Sequence, residues 1–309
     1  VLGFARGPLS HPHHIDVGPS ADVVDALAAE VGAPADVAVL LIAGLDFPDE
    51  EEAYRVEAER LGWGAEIVVG NDTFAVLRAG SERGWGIAVT CGSGMNCVGV
   101  APDGRQVRFP SLGAVSGDAM DGAGAVGLAA VSAAARSQDG RGPKTSLEQL
   151  VPEHFGASDT VALARAIHAG DIPWRRLGEL SPLVFDAAAS DPVAGELVDL
   201  QAAEVVAFVR AAANRLGLTN EEAEVVLGGS VLQSCNERLL RGIDAGLRDV
   251  GPHLTMQVAR SRPIVGAAFV GLDRLGAKRD AYVRARAELD RVTLGSDVTG
   301  DAAPVPELP

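Results

Sequence analysis

The chain has 309 residues, 47% of them hydrophobic and 22% charged, enough for one large or two medium domains with hydrophobic cores. Its net charge of −16 repels phosphate backbones and anionic lipid, which argues against nucleic-acid or membrane partners, and no apolar run reaches the roughly 18 residues of a membrane span. Three cysteines, Cys91, Cys97 and Cys235, cannot close a disulfide framework and suit a reducing, cytoplasmic setting.

Val1 to Gly7 reads as a strand, the second half of a hairpin. Ser10-His11-Pro12-His13-His14 follows; a loop that touches substrate fits it better than a metal site, because Pro12 stiffens the run and no carboxylate or cysteine adjoins His11 or His13. Pro19-Ser20-Ala21-Asp22 predicts a helix start with Ser20 as N-cap, running to about Gly32. Val37–Ile42 predicts a buried strand, and the acids Asp49 to Glu52 predict a helix N-terminus. A second buried strand, Glu66–Val69, delivers Gly70-Asn71-Asp72 at its C-terminal end, where open α/β sheets place ligands. Asp72 is there either a helix N-cap or a carboxylate able to accept a hydroxyl proton.

From Trp85 the pattern becomes an antiparallel meander: Ile87–Cys91, Asn96–Val100 and Gln106–Phe109. The turn Cys91-Gly92-Ser93-Gly94-Met95-Asn96-Cys97 fails as a dinucleotide fingerprint, lacking a third glycine and a following helix. Its glycines let backbone N–H groups face an anion, with Ser93 and Asn96 adding polar side chains. Asp118 sits in a glycine-rich stretch, as a turn residue or a ligand contact. Helices are predicted over 121–136, 146–155, 160–170 and 196–216. Arg141-Gly142-Pro143-Lys144-Thr145 is not a phosphate loop, since Pro143 removes a needed N–H. Glu224–Leu227 is a buried strand running into Gly228-Gly229-Ser230 and a helix, a junction that permits close approach of a phosphorylated ligand. A strand over 254–259 and a helix over 263–275 follow; the tail from about Gly295 is expected to be disordered.

The order of these parts, above all Val68-Val69-Gly70-Asn71-Asp72-Thr73 and Thr90-Cys91-Gly92-Ser93-Gly94-Met95-Asn96-Cys97-Val98-Gly99, resembles the N-acetylglucosamine kinases of the BadF/BadG ATPase group. These belong to the actin/hexokinase/Hsp70 superfamily. The resemblance implies an α/β, two-lobed, actin-like (ribonuclease H-like) fold with ATP and sugar in the interlobe cleft. It implies lobes over 1–86 and 87–294, with a terminal helix packing back near the cleft and a tail over 295–309. Asp72 matches the catalytic base. Gly92, Ser93 and Gly94 match the second phosphate turn, with Ser93 and Asn96 also near the sugar; Gly228, Gly229 and Ser230 match the adenosine motif.

The resemblance also implies that Asn71, Asp118, Ser10 and His11 fall at the sugar site. ATP and Mg²⁺ are the implied cofactors, with no metal held by protein ligands, a small amino sugar as substrate, and a homodimer compatible. The family's first phosphate hairpin, Asp-Gly-Gly-Gly-Thr-like, would precede Val1, so the resemblance implies a longer parent chain and impaired catalysis without it. Two alternatives share the fold: an ATPase that activates a dehydratase through an iron–sulfur cluster, and a degenerate sugar-binding regulator.

Overall fold

The computed structural model describes residues 1–8 and 10–296. The chain forms two compact units, one comprising Val1–Trp85 with the return from Ala259, the other Gly86–Val258. The sequence reading assigned 87–294 to the second lobe; from Ala259 the chain clusters with the first unit instead.

The first unit opens with α1 (Pro12–Ile15), α2 (Val17–Val31), β1 (Ala35–Ile42), α3 (Pro48–Leu61), β2 (Gly64–Asn71) and α4 (Asp72–Gly80). Strands β1 and β2 run parallel, with Ile42 opposite Asn71, so both chain exits lie at the same sheet end. Tyr54, Ala58, Leu45, Ala21 and Trp63 form the core beneath them. The indole N–H of Trp63 donates to Asp25 at 2.7 Å, so a largely buried ring keeps its polar atom satisfied.

Two local expectations change here. Val1–Gly7 is not a strand: it runs over α2, with Gly3 against Val31 and Gly7 against Leu27. Ser20 is not an N-cap, because the helix begins a turn earlier at Val17; its buried hydroxyl donates to the Ser10 carbonyl and pairs with Tyr54 Oη at 3.1 Å.

The second unit holds β3 (Gly86–Cys91), β4 (Met95–Val100), β5 (Gln106–Arg108), a 3₁₀ turn over Gly113–Ser116, α5 (Ala123–Asp139), α6 (Leu147–His154) and α7 (Thr160–Ala169). A 3₁₀ segment over Trp174–Leu180 leads to α8 (Ser181–Ala187), α9 (Pro192–Leu216), β6 (Glu224–Gly228), α10 (Ser230–Gln233), α11 (Glu237–Val250) and β7 (Thr255–Val258). The sheet order is β5-β4-β3-β6-β7; β3 pairs antiparallel with β4 but parallel with β6. Ile87, Ala88 and Val89 of β3 and Val225, Val226 and Leu227 of β6 are wholly buried, which explains their continuous apolar runs. Helix α9 starts one turn before its predicted Glu196, because Asp191 caps it through the Val193 and Ala194 N–H groups and Pro192 takes the first turn.

The chain then returns to the first unit as α12 (Pro263–Arg274) and α13 (Arg279–Ser296). A Cβ at Gly266 would stand 1.8 Å from the Ala75 carbonyl oxygen, so only glycine lets α12 lie this close to α4. Arg78 of α4 is clamped by Asp273 at 2.7 and 2.9 Å, with its guanidinium packed over the touching rings of Phe269 and Tyr282. Apart from the last residues of α13, the tail read as disordered lies outside the described residues. No helix among the described residues is long and apolar enough to cross a membrane.

Candidate active site

In the first unit the expected residues gather at the C-terminal ends of β1 and β2. The sequence left Asp72 as either helix cap or free carboxylate. The structure gives the cap to Asn71, whose Oδ1 accepts the Thr73 N–H at 2.9 Å. Asn71 Nδ2 donates to Asp46 Oδ1 at 2.9 Å, so this buried amide has both ends engaged. Asp72 becomes the first residue of α4 and is half-buried. Burial holds its carboxyl above the usual carboxylate range, against the backbone N–H groups of Thr73 and of Asp72 itself.

Asp46 and Glu50 were missed by the sequence reading. Glu50 Oε2 accepts the N–H groups of Asp46 and Phe47 at 2.8 and 2.9 Å, and its Oε1 meets His13 Nε2 at 2.8 Å. Burial disfavours its charge, but the Phe47 N–H, His13 and the Asp46 N–H together hold the carboxyl below its usual range. The acidic run over 49–52 concealed this role, because any acid there suits a helix start.

His11 caps α1, its Nδ1 accepting the His13 N–H at 3.3 Å, and its ring lies over Gly44, where a Cβ would come within 2.2 Å of Cε1. Burial, with His14 and His13 as further causes, pulls the His11 imidazole down to about 4, so it is neutral at physiological pH. Ser10 is half-buried, its carbonyl held by Ser20.

The second unit gathers the other expected residues around three glycine turns. In the β3–β4 turn the Gly92 N–H is spent on the Gly94 carbonyl at 2.8 Å, which leaves the amides of exposed Ser93 and Gly94 to meet an anion. Added Cβ atoms at Gly92 and Gly94 would meet nothing closer than 3.7 and 3.8 Å. Packing does not require glycine there, as a backbone cradle left open for a ligand would have it.

Gly122 and Gly229 differ. Gly122 has φ of 127° and would place a Cβ 2.9 Å from the Gly92 and Gly94 carbonyl oxygens. Gly229 has φ of 83° and would place one 2.3 Å from the Cys91 oxygen. Both hold their turns against the β3–β4 turn, backbone to backbone. The Ala123 N–H at the start of α5 donates to the Gly92 carbonyl at 2.9 Å, locking the turn to that helix.

Gly228 ends β6 opposite Thr90, and Ser230 is exposed at the start of α10, beside the Gly92 turn. Asn96 Oδ1 accepts the Cys97 N–H at 2.6 Å. Asp118 Oδ2 accepts from Ser116 Oγ at 2.7 Å, and burial, with Asp118 as a second cause, raises the carboxyl of Asp121. Cys91 and Cys97 are buried, and burial pushes the Cys91 thiol up to about 12, which suits packing beneath the turn rather than reactivity. Lys144, from the rejected phosphate-loop lookalike, donates to Glu148 at 2.9 Å on the surface.

Among the described residues there is no group of three or more His, Cys, Asp or Glu able to cage a metal. Mg²⁺ carried on nucleotide phosphates needs only one or two protein carboxylates, so this donor set is compatible with it.

No protein-family profile matches the chain. It is 28% identical over 195 residues to the N-acetylmuramic acid/N-acetylglucosamine kinase of Clostridium acetobutylicum, covering 63% of each chain. It is 26% identical over 178 residues to the N-acetyl-D-glucosamine kinase of Dictyostelium discoideum, covering 56% of each. The matched stretch therefore spans less than two thirds of either relative. Among solved structures, a candidate N-acetylglucosamine kinase from Chromobacterium violaceum superposes with a TM-score of 0.66 at 22% identity, over 87% of this chain and 90% of that one. Another candidate from Porphyromonas gingivalis gives 0.54 at 16% identity, over 81% of each. The chain shares the α/β fold of these two structures.

Proposed function

We propose that the protein phosphorylates an amino sugar from ATP, N-acetylglucosamine to its 6-phosphate being the first choice, with Asp72 as general base. The observation that carries this reading is the division of labour at the end of β2. Asn71 takes the helix cap, and Asp72 is left as a half-buried carboxylate of raised pKa. Raising a carboxyl toward neutral makes it a better proton acceptor once ionised. The kinase relatives and the order of the glycine turns support the same reading.

Bound Mg-ATP would supply the phosphoryl group, with the metal neutralising charge on its phosphates. The chain's own contribution is positioning. The outward amides of Ser93 and Gly94 would meet phosphate oxygens, while Gly228 and Gly229 would let the nucleotide approach their backbone. Asp118 and Asn96 would hold sugar hydroxyls in the second unit. In the first unit, Asp72 would accept the proton of the attacking hydroxyl. The neutral His11 ring, seated on Gly44, would offer the sugar an uncharged contact beside Ser10. A cytoplasmic setting fits both ATP use and three free cysteines.

The test is ADP release by the full-length protein with Mg-ATP against N-acetylglucosamine, glucosamine, N-acetylmuramic acid and glucose, with the product's phosphorylated position read by ³¹P NMR. Stimulation by an amino sugar with a 6-phosphate product is expected. No stimulation by any of them, under conditions where sugar binding is measurable, overturns the assignment and leaves a sugar-binding regulator of the same fold.

A further inference from the structure

The second unit buries a polar side chain that its fold does not need. Gln201 lies in the middle of α9, fully inaccessible, among Leu197, Val198, Ala202 and Val205 on the buried face. An aliphatic residue would fill such a position at no desolvation cost. Its Nε2 donates to the Met120 carbonyl at 3.1 Å and approaches Met95 Sδ at 3.6 Å. The amide orientation is fixed by this arrangement, because the opposite flip would set Oε1 against a carbonyl oxygen. Oε1 is left buried without a hydrogen-bond partner among the described residues. A side chain kept for stability would not leave half its amide unsatisfied.

What the amide touches gives its use. Met95 is the first residue of β4, directly after Gly94 of the β3–β4 turn, and Met120 stands between Asp118 and Gly122. One helical turn further along α9, Glu204 Oε1 accepts the Ala119 N–H at 3.1 Å. Helix α9 therefore grips the 118–121 segment at two peptide groups, those joining Asp118 to Ala119 and Met120 to Asp121, and through Gln201 it also touches the start of β4.

We infer that Gln201 is a positioning residue that sets the Asp118 segment relative to the Ser93–Gly94 turn. This rests on the kinase reading of that turn, under which sugar and phosphate contacts must keep a fixed separation for transfer. Displacements on the order of 1 Å can cost about 100-fold in rate.

The test replaces Gln201 with methionine, which keeps its length and flexibility without the donor, and separately with leucine. Thermal stability is expected to match or exceed wild type in both. Turnover with the best amino sugar is expected to fall about 10- to 100-fold in kcat/KM, with kcat carrying much of the loss, as misplacement rather than lost binding would give. Amide hydrogen exchange over residues 118–122 should speed up, while that of β6 stays unchanged. Wild-type exchange and turnover in Gln201→Met overturn the inference. So does loss of folding in both variants, because the amide would then serve stability. Should the wild-type protein phosphorylate no amino sugar, the kinase reading fails alone; exchange over 118–122 still decides whether Gln201 holds that segment.

Discussion

Replacing Gly229 with alanine separates two costs that the sequence alone cannot distinguish. At φ of 83° the residue is left-handed, and a Cβ there would lie 2.3, 2.5 and 2.7 Å from the O, C and N atoms of Cys91. The conformation alone costs roughly 1–2 kcal/mol for a non-glycine residue. Forcing a methyl group against fixed backbone adds about 1–3 kcal/mol, as in overpacked cores. Gly104, in the β4–β5 turn of the same unit, is the control: its φ is 87°, yet a Cβ there would meet nothing within 4 Å. Gly104→Ala should therefore lose only the conformational share. With a urea slope of about 1–3 kcal/mol/M, the extra loss in Gly229→Ala lowers the midpoint by roughly 1 M at unchanged slope. Circular dichroism, with amide exchange in β3, reads the transition in the right unit. Nucleotide affinity should fall in Gly229→Ala and hold in Gly104→Ala. Equal stability losses in the two variants would refute the reasoning, since the approach to Cys91 would then carry no energetic weight.

Asp72→Asn should lower kcat by ~10²–10⁴-fold while leaving nucleotide affinity intact. Because burial raises the folded carboxyl's pKa, ionising it costs stability as pH rises from the unfolded value through the folded one. The amide removes that cost, so the variant should melt no lower than wild type at pH 7; the wild-type rate should also decline on the acid side at a pH above the ordinary carboxylate range. The His11 imidazole, lowered from 6.5 to about 4, stabilises the fold fully above pH 6.5 and loses that contribution as pH falls toward 4. His11→Asn keeps a capping acceptor and should flatten the melting temperature across that window; an unchanged slope would exclude His11 as its source. Asp191, held at about 2 by Ser146, Thr145 and backbone N–H groups against the opposing effect of burial, contributes stability above pH 3.8 that disappears as pH falls through 2. Asp191→Ala should cost about 2–4 kcal/mol by urea denaturation at neutral pH, from a lost helix cap and lost hydroxyl bonds.

The order of strands and helices could be read from sequence because runs such as Val225–Leu227 and the periodic 196–216 stretch carry one meaning only. Boundaries slipped where a cap sits outside the obvious motif: α2 begins at Val17, three residues before Ser20, and Ser20, a good cap by type, is consumed by Tyr54 in the core. Val1–Gly7 has strand composition, yet a strand is defined by its partner, which composition does not contain. Asn71 and Asp72 were both visible as polar residues after a strand; which of them caps depended on one residue of register. Glu50 and Gln201 were invisible for a common reason. Glutamate and glutamine are ordinary helix residues, and what sets these two apart is the partner each reaches outside its own helix: His13 for Glu50, and Met120 for Gln201.

The first unit is assembled from two stretches of chain separated by the whole of the second. During synthesis, α4 leaves the ribosome long before α12, whose Gly266 settles on Ala75, and translation of the stretch between Trp85 and Ala259 takes roughly 10–35 s at ~5–20 residues per second. Throughout that interval the surface of α4 that α12 will cover has no permanent cover, while the continuous second unit can already condense. Nascent chains arrested before Pro263 should accordingly present α4 to chaperones and proteases, and release of α12 from the exit tunnel should end that exposure.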